Sequence, residues 1–206
     1  MPLDPRAQPL LEQDADRDPL RQFEAWFEEA RAAGMRVPEA VALATATPDG
    51  VPSIRMVLMK GADERGFVFH TGYESRKGRE LEQNPRAALL FYWDPLGRQV
   101  RIEGEVEPLP TEESDAYFAT RPRGGQLAAW ASRQSGPIES RDELEDAARQ
   151  AASRYEGSDV PRPPRWGGYL LRPRTYEFWQ HREDRLHDRL RYEQAGDGWR
   201  IVRLSP

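Results

Sequence analysis

The stretch AVALATATPDGVPSIRMVLMK, residues 40–60, decides the fold of this chain. Residues 40–47 alternate in side-chain character, which is typical of a half-buried β-strand. Asp49-Gly50 comes next, and this dipeptide is a strong signal for a tight hairpin turn. Residues 52–60 then supply a returning strand. The stretch therefore predicts an antiparallel β-hairpin.

Similar patterns extend outward from this hairpin. Asp18-Pro19 and Ser75 are typical helix starts, and turn residues separate the other apolar runs. Six to eight strands with a few helices predict a mainly β fold with flanking helices, an antiparallel barrel. Further strands are expected at about 67–71, 86–93, 98–108, 168–179, 187–194 and 198–203, and helices at about 19–33, 76–83, 111–120, 124–132 and 140–155.

The chain reads as one domain with an arm in front. Residues 1–17 are polar and acidic, so we expect a flexible arm with little to bury. Residues 18–206 have a suitable length and apolar content for a single domain.

The composition excludes several classes of protein. A net charge of -5 argues against a general nucleic-acid binder. The absence of cysteine excludes disulfides and thiolate metal sites, and the three histidines lack helical ligand spacing, so no metal is expected. No apolar run approaches the roughly 20 residues that span a bilayer. The N-terminus does not resemble a signal peptide, so we expect a cytoplasmic protein without a membrane partner.

The basic stretch RMVLMK, residues 55–60, places its two cations on opposite faces of a strand. Side chains alternate along a strand, so Arg55, Val57 and Met59 share one face, and Met56, Leu58 and Lys60 share the other. One strand can then serve two different anions. The alternative is that both cations are strand-end charges whose tips reach water.

Four further regions offer cations, donors or aromatic rings for a small anionic ligand. A helix N-terminus with adjacent Arg and Lys favours phosphate, and Tyr117 and Arg121 lie on one helix face. Ordinary capping or a solvated strand is the alternative explanation of each region when it is taken alone. If residues 185–189 form a strand, alternation places Arg185, His187 and Arg189 on one face. The regions are GYESRK (72–77), YFATRPR (117–123), SRQSG (132–136), and EFWQ (177–180) with RLHDR (185–189).

Taken together and in this order, the motifs closely resemble the pyridoxamine 5′-phosphate oxidase family, from about residue 18 to the C-terminus. The most specific matches are RMVLMK (55–60), SRKGRELEQNPRAALLFYW (75–93), RQVRIEGEVE (98–107), YFATRPRGGQLAAWASRQS (117–135), and EFWQ with RLHDRLRY (177–192). The resemblance implies an FMN-binding split β-barrel and a homodimer with two FMN sites at the subunit interface. Members oxidise pyridoxine or pyridoxamine 5′-phosphate, which are phosphorylated B6 vitamers, to pyridoxal 5′-phosphate. Hydride passes from C4′ to flavin N5, and dioxygen becomes hydrogen peroxide.

The family's contacts can be carried over by motif position. Charge suits Arg55, Arg76 and Lys77 to the FMN phosphate, and Gln99 and Trp179 suit the flavin ring. The implied FMN contacts are Arg55, Met56, Val57, Leu58, Met59, Lys60, His70, Thr71, Arg76, Lys77, Gln99, Gln134, Ser135, Trp179 and Arg189. The implied substrate contacts are Lys60, Tyr117, Arg121, Gly125, Arg185, Leu186 and His187, with Arg185 and His187 as the catalytic pair beside the substrate ring.

The chain departs from the family pattern at three places. His70 stands where the family usually has Tyr, and Gly125 stands where a serine that contacts the substrate phosphate is expected. The N-terminal arm lacks the Arg-Arg-Glu-Tyr segment of some members. Three rival interpretations stay open: a related FMN oxidase of phenazine biosynthesis, a deazaflavin-dependent reductase on the same barrel, and a non-catalytic module that binds FMN or pyridoxal phosphate.

Overall fold

The computed structural model of the protein describes residues 8–206, which form eight strands and five α-helices. The strands are β1 (Ala40–Ala46), β2 (Pro52–Asp63), β3 (Gly66–Gly72), β4 (Arg86–Trp93), β5 (Arg98–Pro108), β6 (Trp166–Gln180), β7 (Asp188–Ala195) and β8 (Gly198–Arg203). The helices are α1 (Pro19–Ala32), α2 (Arg76–Gln83), α3 (Thr111–Thr120), α4 (Arg123–Ala131) and α5 (Arg141–Arg154).

The strands form one antiparallel sheet that closes on itself. Their order is β3-β2-β1-β4-β5-β6-β7-β8, and β3 also pairs with β6, which turns the first six strands into a barrel. The strand β6 can serve two neighbours because it is 15 residues long. Residues 166–171 pair with β3, whereas residues 175–180 pair with β7 outside the barrel. The predicted mainly β barrel with flanking helices is confirmed.

The core lies inside the barrel, where the inward side chains of alternating positions meet. Val41, Leu43 and Phe178 are completely buried. From α1, the Phe23 ring lies 4.9 Å from the Phe67 ring and 5.1 Å from the Phe91 ring. Edge-on and tilted packing of this kind is the favoured geometry for aromatic pairs. The helix α1 therefore packs its apolar side against the barrel core.

The predicted boundaries of α1 and α2 agree closely with the structure. Asp18 accepts the Leu20 N–H at 2.9 Å, and Ser75 accepts the Gly78 N–H at 3.3 Å, so both act as N-caps. Gly34, with φ of +77°, follows the end of α1. These local signals are short-range hydrogen bonds and backbone preferences, which explains why the sequence alone reveals them.

The second strand is longer than predicted. The segment 61–66 was expected to be a turn, but β2 continues to Asp63 after a bulge between Met59 and Gly61. The chain then reverses over two residues, and Gly66 takes a φ of +139°. A bulge adds a residue to one strand without ending the pairing, so the hairpin extends further than its turn-like composition indicates.

The segment before β7 also differs from its prediction. Arg185, His187 and Arg189 were expected to share one face of a strand that begins at residue 187. The strand begins instead at Asp188, and Asp184 and Arg185 have φ of 54° and 62° within a single 3₁₀ turn. These left-handed conformations break the alternation, so the expected common face is wrong.

Part of the predicted N-terminal arm packs against the domain, and residues 1–7 lie outside the described residues. Leu10 and Ala15 are buried in the core cluster. The Tyr192 hydroxyl donates to the Asp16 carbonyl at 2.8 Å, and Arg203 binds the Glu12 carboxylate at 2.7 Å. The expectation that this arm has little to bury therefore does not hold for residues 10–16. Within residues 8–206, no helix combines the length and apolarity that crossing a membrane requires.

Candidate functional site

A cleft of about 470 Å³ opens beside β2, β3 and α3. Its volume lies within the range of small-molecule sites. Most of its walls come from residues that the sequence predicted as cofactor or substrate contacts, and Thr120, Pro122 and Trp166 are additions to that set. The lining residues are Arg55, Met56, Val57, Leu58, Lys60, His70, Thr71, Lys77, Tyr117, Thr120, Arg121, Pro122, Gln134 and Trp166.

The alternation predicted for RMVLMK is visible in the burial of β2. Met56, Leu58 and Lys60 are exposed, whereas Arg55 and Val57 are half-buried and Met59 is buried in the barrel core. Met59 therefore does not line the cleft, although the motif placed it among the contacts. The cations at the two ends of the stretch, Arg55 and Lys60, nevertheless line the same cleft.

One end of the cleft contains a network centred on a buried carboxylate. Glu80 of α2 has only 4% of its side chain exposed. It accepts hydrogen bonds from Thr45 and Ser53, each at 2.5 Å, from Arg55 at 3.3 Å and from Arg76 at 2.9 Å. Burial raises the pKa of Glu80, but these hydrogen bonds outweigh burial and hold the pKa at about 2. The carboxylate is therefore ionised and couples two strands to the helix.

A second polar cluster lies beside this network. The Lys77 ammonium donates to Thr71 at 2.9 Å and to Ser75 at 3.3 Å. The side-chain oxygen of Gln134 accepts from Thr71 at 2.9 Å and from the Gly72 N–H at 3.2 Å. Burial, and next the charge of Arg55, lowers the pKa of Lys77. The loop after α4 is thereby tied to the end of β3 at the floor of the cleft.

The other end of the cleft is an aromatic stack crossed by a cation. The His70 ring lies 3.9 Å from the Tyr117 ring and 5.2 Å from the Trp166 ring, nearly parallel to both. The Arg121 guanidinium lies 4.6 Å above Trp166. Both ring nitrogens of His70 and Nη1 of Arg121 are buried and have no hydrogen-bond partner among the described residues. Buried donors without partners are uncommon, so this end of the cleft suits a ligand that supplies acceptors.

His70 is held neutral by its surroundings. Burial, followed by the charges of Arg121 and of Lys60, lowers the pKa of His70 to about 4. Gly125 lies against the same guanidinium, and a Cβ there would meet Arg121 Nη2 at 3.3 Å. A serine at position 125 would therefore reach this group, and its absence leaves the Arg121 end with one hydroxyl fewer.

The remaining predicted contacts form a second group, on β5, β6 and β7, that does not line the cleft. Gln99, Trp179 and Arg189 are direct cross-strand neighbours. Arg189 donates to the buried carboxylate of Glu177 at 2.8 Å, and the Trp179 ring lies 4.5 Å from the His187 ring. Within one chain, the predicted site is therefore divided into two groups.

Four further predicted residues lie outside both groups. Arg185 and Leu186 are exposed in the turn before β7, and Ser135, with φ of 66°, follows Gln134 in the loop after α4. Arg76 is half-exposed at the start of α2 and pairs with Glu80. Glu80 lies inside the stretch 75–93 but was not among the expected contacts. Its only sequence signal is the i, i+4 spacing from Arg76.

Solved structures with the same architecture define the class of protein first. A pyridoxamine 5′-phosphate oxidase-related, FMN-binding protein from Nostoc punctiforme superposes with a TM-score of 0.73 over 93% of this chain and 100% of that chain, at 18% identity. PhzG from Burkholderia lata, solved with tetrahydrophenazine-1-carboxylic acid, has a TM-score of 0.89 at 39% identity, covering 96% and 98% of the two chains. The fold is a split β-barrel.

Sequence comparison gives the family. Residues 27–155 match the family model described as pyridoxamine 5′-phosphate oxidase, and residues 166–206 match the pyridoxine 5′-phosphate oxidase C-terminal dimerisation region. The pyridoxine/pyridoxamine 5′-phosphate oxidase of Rubrobacter xylanophilus is 64% identical over 96% of this chain and 91% of its own length. That of Bordetella pertussis is 58% identical over 96% and 93%. The chain belongs to the pyridoxamine 5′-phosphate oxidase family, which confirms the resemblance seen in its motifs.

The depressed pKa of His70 predicts a pH-dependent stability. The unfolded state has an ordinary His pKa near 6.5 and binds more protons than the folded state between pH 6.5 and pH 4, so stability falls as the pH falls through this window. The free energy of unfolding is measured with urea on the apoprotein at pH 7 and at pH 5. Between these two pH values it should fall by about 1 kcal/mol less in His70→Phe than in the wild type, since the partial exposure of His70 reduces the electrostatic penalty. His181→Gln, at an exposed histidine, is the control. Equal losses in the wild type and His70→Phe would contradict the prediction.

Proposed function

We propose that this chain is an FMN-dependent oxidase that converts pyridoxine 5′-phosphate or pyridoxamine 5′-phosphate to pyridoxal 5′-phosphate, with dioxygen as acceptor and hydrogen peroxide as product. With the amine as substrate, water is also consumed and ammonia is released. The observation that carries the proposal is that one cleft has cations at both ends. Arg55 and Lys77 lie at one end, and Lys60 and Arg121 lie at the other. Two phosphorylated molecules, cofactor and substrate, match two cationic ends.

The residues present fit FMN. Arg55, Arg76 and Lys77 cluster where α2 begins, and charge-assisted hydrogen bonds from such groups suit a phosphate. Gln134 uses its oxygen within the protein, which leaves its amide N–H groups for a ligand. When bound, FMN supplies a two-electron acceptor, so the protein need only bind and orient the substrate beside it. Gln99 and Trp179 are the residues proposed for the flavin ring.

The substrate phosphate is assigned to Lys60, Tyr117 and Arg121. Arg121 has a buried Nη1 without a partner among the described residues, and burial lowers the pKa of its guanidinium. An anion at this point would satisfy the donor and offset the desolvated charge. Two cations and a phenol match a phosphate, which carries close to two negative charges, better than a single carboxylate such as that of the tetrahydrophenazine-1-carboxylic acid in the PhzG structure. The phenazine-type substrate is kept as the alternative.

Arg185 and His187 are proposed to position the substrate ring. His187 Nδ1 accepts the Arg182 N–H at 3.1 Å, and burial, then the charges of His181 and Arg185, lowers the pKa of His187. A neutral imidazole that accepts at Nδ1 carries its proton on Nε2. His187 can therefore donate from Nε2, and the exposed Arg185 guanidinium can stabilise negative charge near the ring oxygen of the substrate.

A homodimer is proposed to join the two groups of site residues. The outer face of β2 exposes Ile54 at 68% and Met56 at 63%, and Tyr92 on β4 is 54% exposed. Between them, Ala42 of β1 pairs with Met56 on one side and with Leu90 on the other. Continuous apolar faces of this kind mark protein–protein interfaces. Since Met56 also lines the cleft, a second copy seated here would reach the cleft.

One experiment tests the proposed activity. The purified protein is examined for a flavin absorption spectrum, and pyridoxine 5′-phosphate is then added in air. Formation of pyridoxal 5′-phosphate and of hydrogen peroxide is the expected result. A flavin spectrum without turnover would favour the non-catalytic or the phenazine interpretation. A protein that does not bind added FMN would overturn the flavin assignment.

Charge placed on the apolar face should separate the subunits. Ile54→Asp puts a carboxylate into the proposed interface, so we expect a shift from dimer to monomer in sedimentation velocity and a matching loss of bound FMN. Ile138→Asp changes an isoleucine of similar exposure in the loop after α4 and should remain dimeric. A dimeric Ile54→Asp protein would rule out this face as the interface.

Removal of the ring-positioning pair should impair turnover more than cofactor binding. The double variant Arg185→Ala/His187→Ala should lower kcat/KM by about 100-fold or more, the lower range for a lost acid–base or charge-stabilising group. The FMN dissociation constant should change only a few-fold. Arg174→Ala, at an exposed arginine of β6, serves as the control. Parallel loss of FMN and of activity would argue against the role.

A further inference from the structure

Glu80 joins three elements beside the cationic end of the cleft, namely β1, β2 and its own helix α2. Its hydrogen-bond donors are Thr45 of β1, Ser53 and Arg55 of β2, and Arg76 of its own helix. Each carboxylate oxygen has its own arginine: Oε2 accepts from Arg55 and Oε1 from Arg76. A carboxylate with 4% exposure that bridges two guanidinium groups defines the separation and orientation of both.

The two arginines use different parts of their guanidinium groups in this network. Arg55 donates from Nη1 to the Leu43 carbonyl and to Thr45, and from Nη2 to Ser53 and Glu80. Arg76 contacts Glu80 through Nε, so this contact leaves its terminal nitrogens available. Arg55 thus has its four terminal N–H groups engaged within the protein and offers a ligand its charge and its Nε–H. Arg76 is anchored through Nε and keeps its terminal nitrogens for a ligand.

The charge of the cluster matches a phosphate. Arg55, Arg76 and Lys77 carry three positive charges and Glu80 carries one negative charge, which leaves a net charge of +2. A phosphate monoester carries close to two negative charges at neutral pH. Glu80 also raises the pKa values of Arg55 and of Lys77 against the effect of burial, and so helps to keep both protonated. Without the Glu80 carboxylate, the three cations would repel one another in a partly buried environment.

We propose that Glu80 is a positioning residue for the cofactor phosphate, which fixes Arg55 and Arg76 and thereby sets the preference of the site for FMN over unphosphorylated riboflavin. This inference rests on the proposed FMN binding. Glu80 does not touch the phosphate itself; it acts through the two arginines. Because Glu80 engages both arginines, the protein itself contributes to their placement beside the phosphate.

The test compares two flavins that differ only in the phosphate. FMN and riboflavin are titrated into the apoprotein of the wild type and of Glu80→Gln, and binding is followed by quenching of flavin fluorescence. Glutamine keeps the size of the side chain and can accept from Thr45 and Ser53, but it loses the charge that holds the arginines. The FMN dissociation constant should rise about 10-fold or more, whereas that of riboflavin should stay within about 2-fold.

The matched control is Glu82→Gln, at an exposed glutamate of the same helix, which should leave both dissociation constants unchanged. Glu80→Asp keeps the charge but withdraws it by one methylene, so it should also weaken FMN selectively. The folding of Glu80→Asp is checked by circular dichroism. If Glu80→Gln does not fold, the comparison of FMN with riboflavin is made on Glu80→Asp instead.

Three results would overturn the inference. Equal weakening of FMN and riboflavin would make Glu80 a general support of the fold. Unchanged or tighter FMN binding would mean that the carboxylate only competes with the phosphate for the arginines. A wild-type protein that binds neither flavin would remove the proposed function and this inference with it, and so differs from a failure confined to Glu80.

Discussion

Closure of the barrel by the pairing of β3 with β6 is the constraint on which the rest of the structure depends. Phe67 pairs with Leu171 and His70 with Gly168, although about a hundred residues separate the partners. This long-range contact brings Trp166 to the His70 ring and so completes the aromatic end of the cleft. A Cβ at Gly168 would lie 2.4 Å from Leu109 Cδ1 and 3.0 Å from His70 Nε2, so a larger residue there would displace these two side chains.

The cleft gathers cations at a cost that the surrounding polar groups offset. Burial lowers the pKa values of Arg55, Lys77 and Arg121, which means that desolvation opposes their charges. At the Arg55 end, Glu80 and several hydroxyl and carbonyl oxygens compensate. At the Arg121 end, the described residues supply aromatic faces and no acceptor for Nη1. The protein thus supplies acceptors and a counter-charge at the first end, and under the proposed function the substrate phosphate would supply the acceptor for Arg121 Nη1 at the second.

The sequence predicts features that depend on neighbours along the chain. The Asp18 cap and the alternation along residues 55–60 are local, so both are readable and both match the structure. No local pattern predicts the role of Glu80, because two of its partners lie 35 and 27 residues away along the chain. They belong to strands whose register no short motif reveals. The packing of Leu10 likewise depends on contacts with the C-terminal strands. The turn at Arg185 was missed because a left-handed arginine contradicts its usual backbone preference.

Under the proposed function, strand β2 connects cofactor binding to subunit association. Its half-buried face presents Arg55 to the polar network, and its exposed face presents Ile54 and Met56. Under the proposed homodimer, the partner covers the exposed face and contributes Trp179 and Arg189 to the flavin. A ligand that contacts both subunits binds the dimer more tightly than the monomer, so it must stabilise the dimer by the same free energy. Cofactor affinity and dimer stability are then two measurements of one coupling, and a single strand with two different faces is sufficient to produce it.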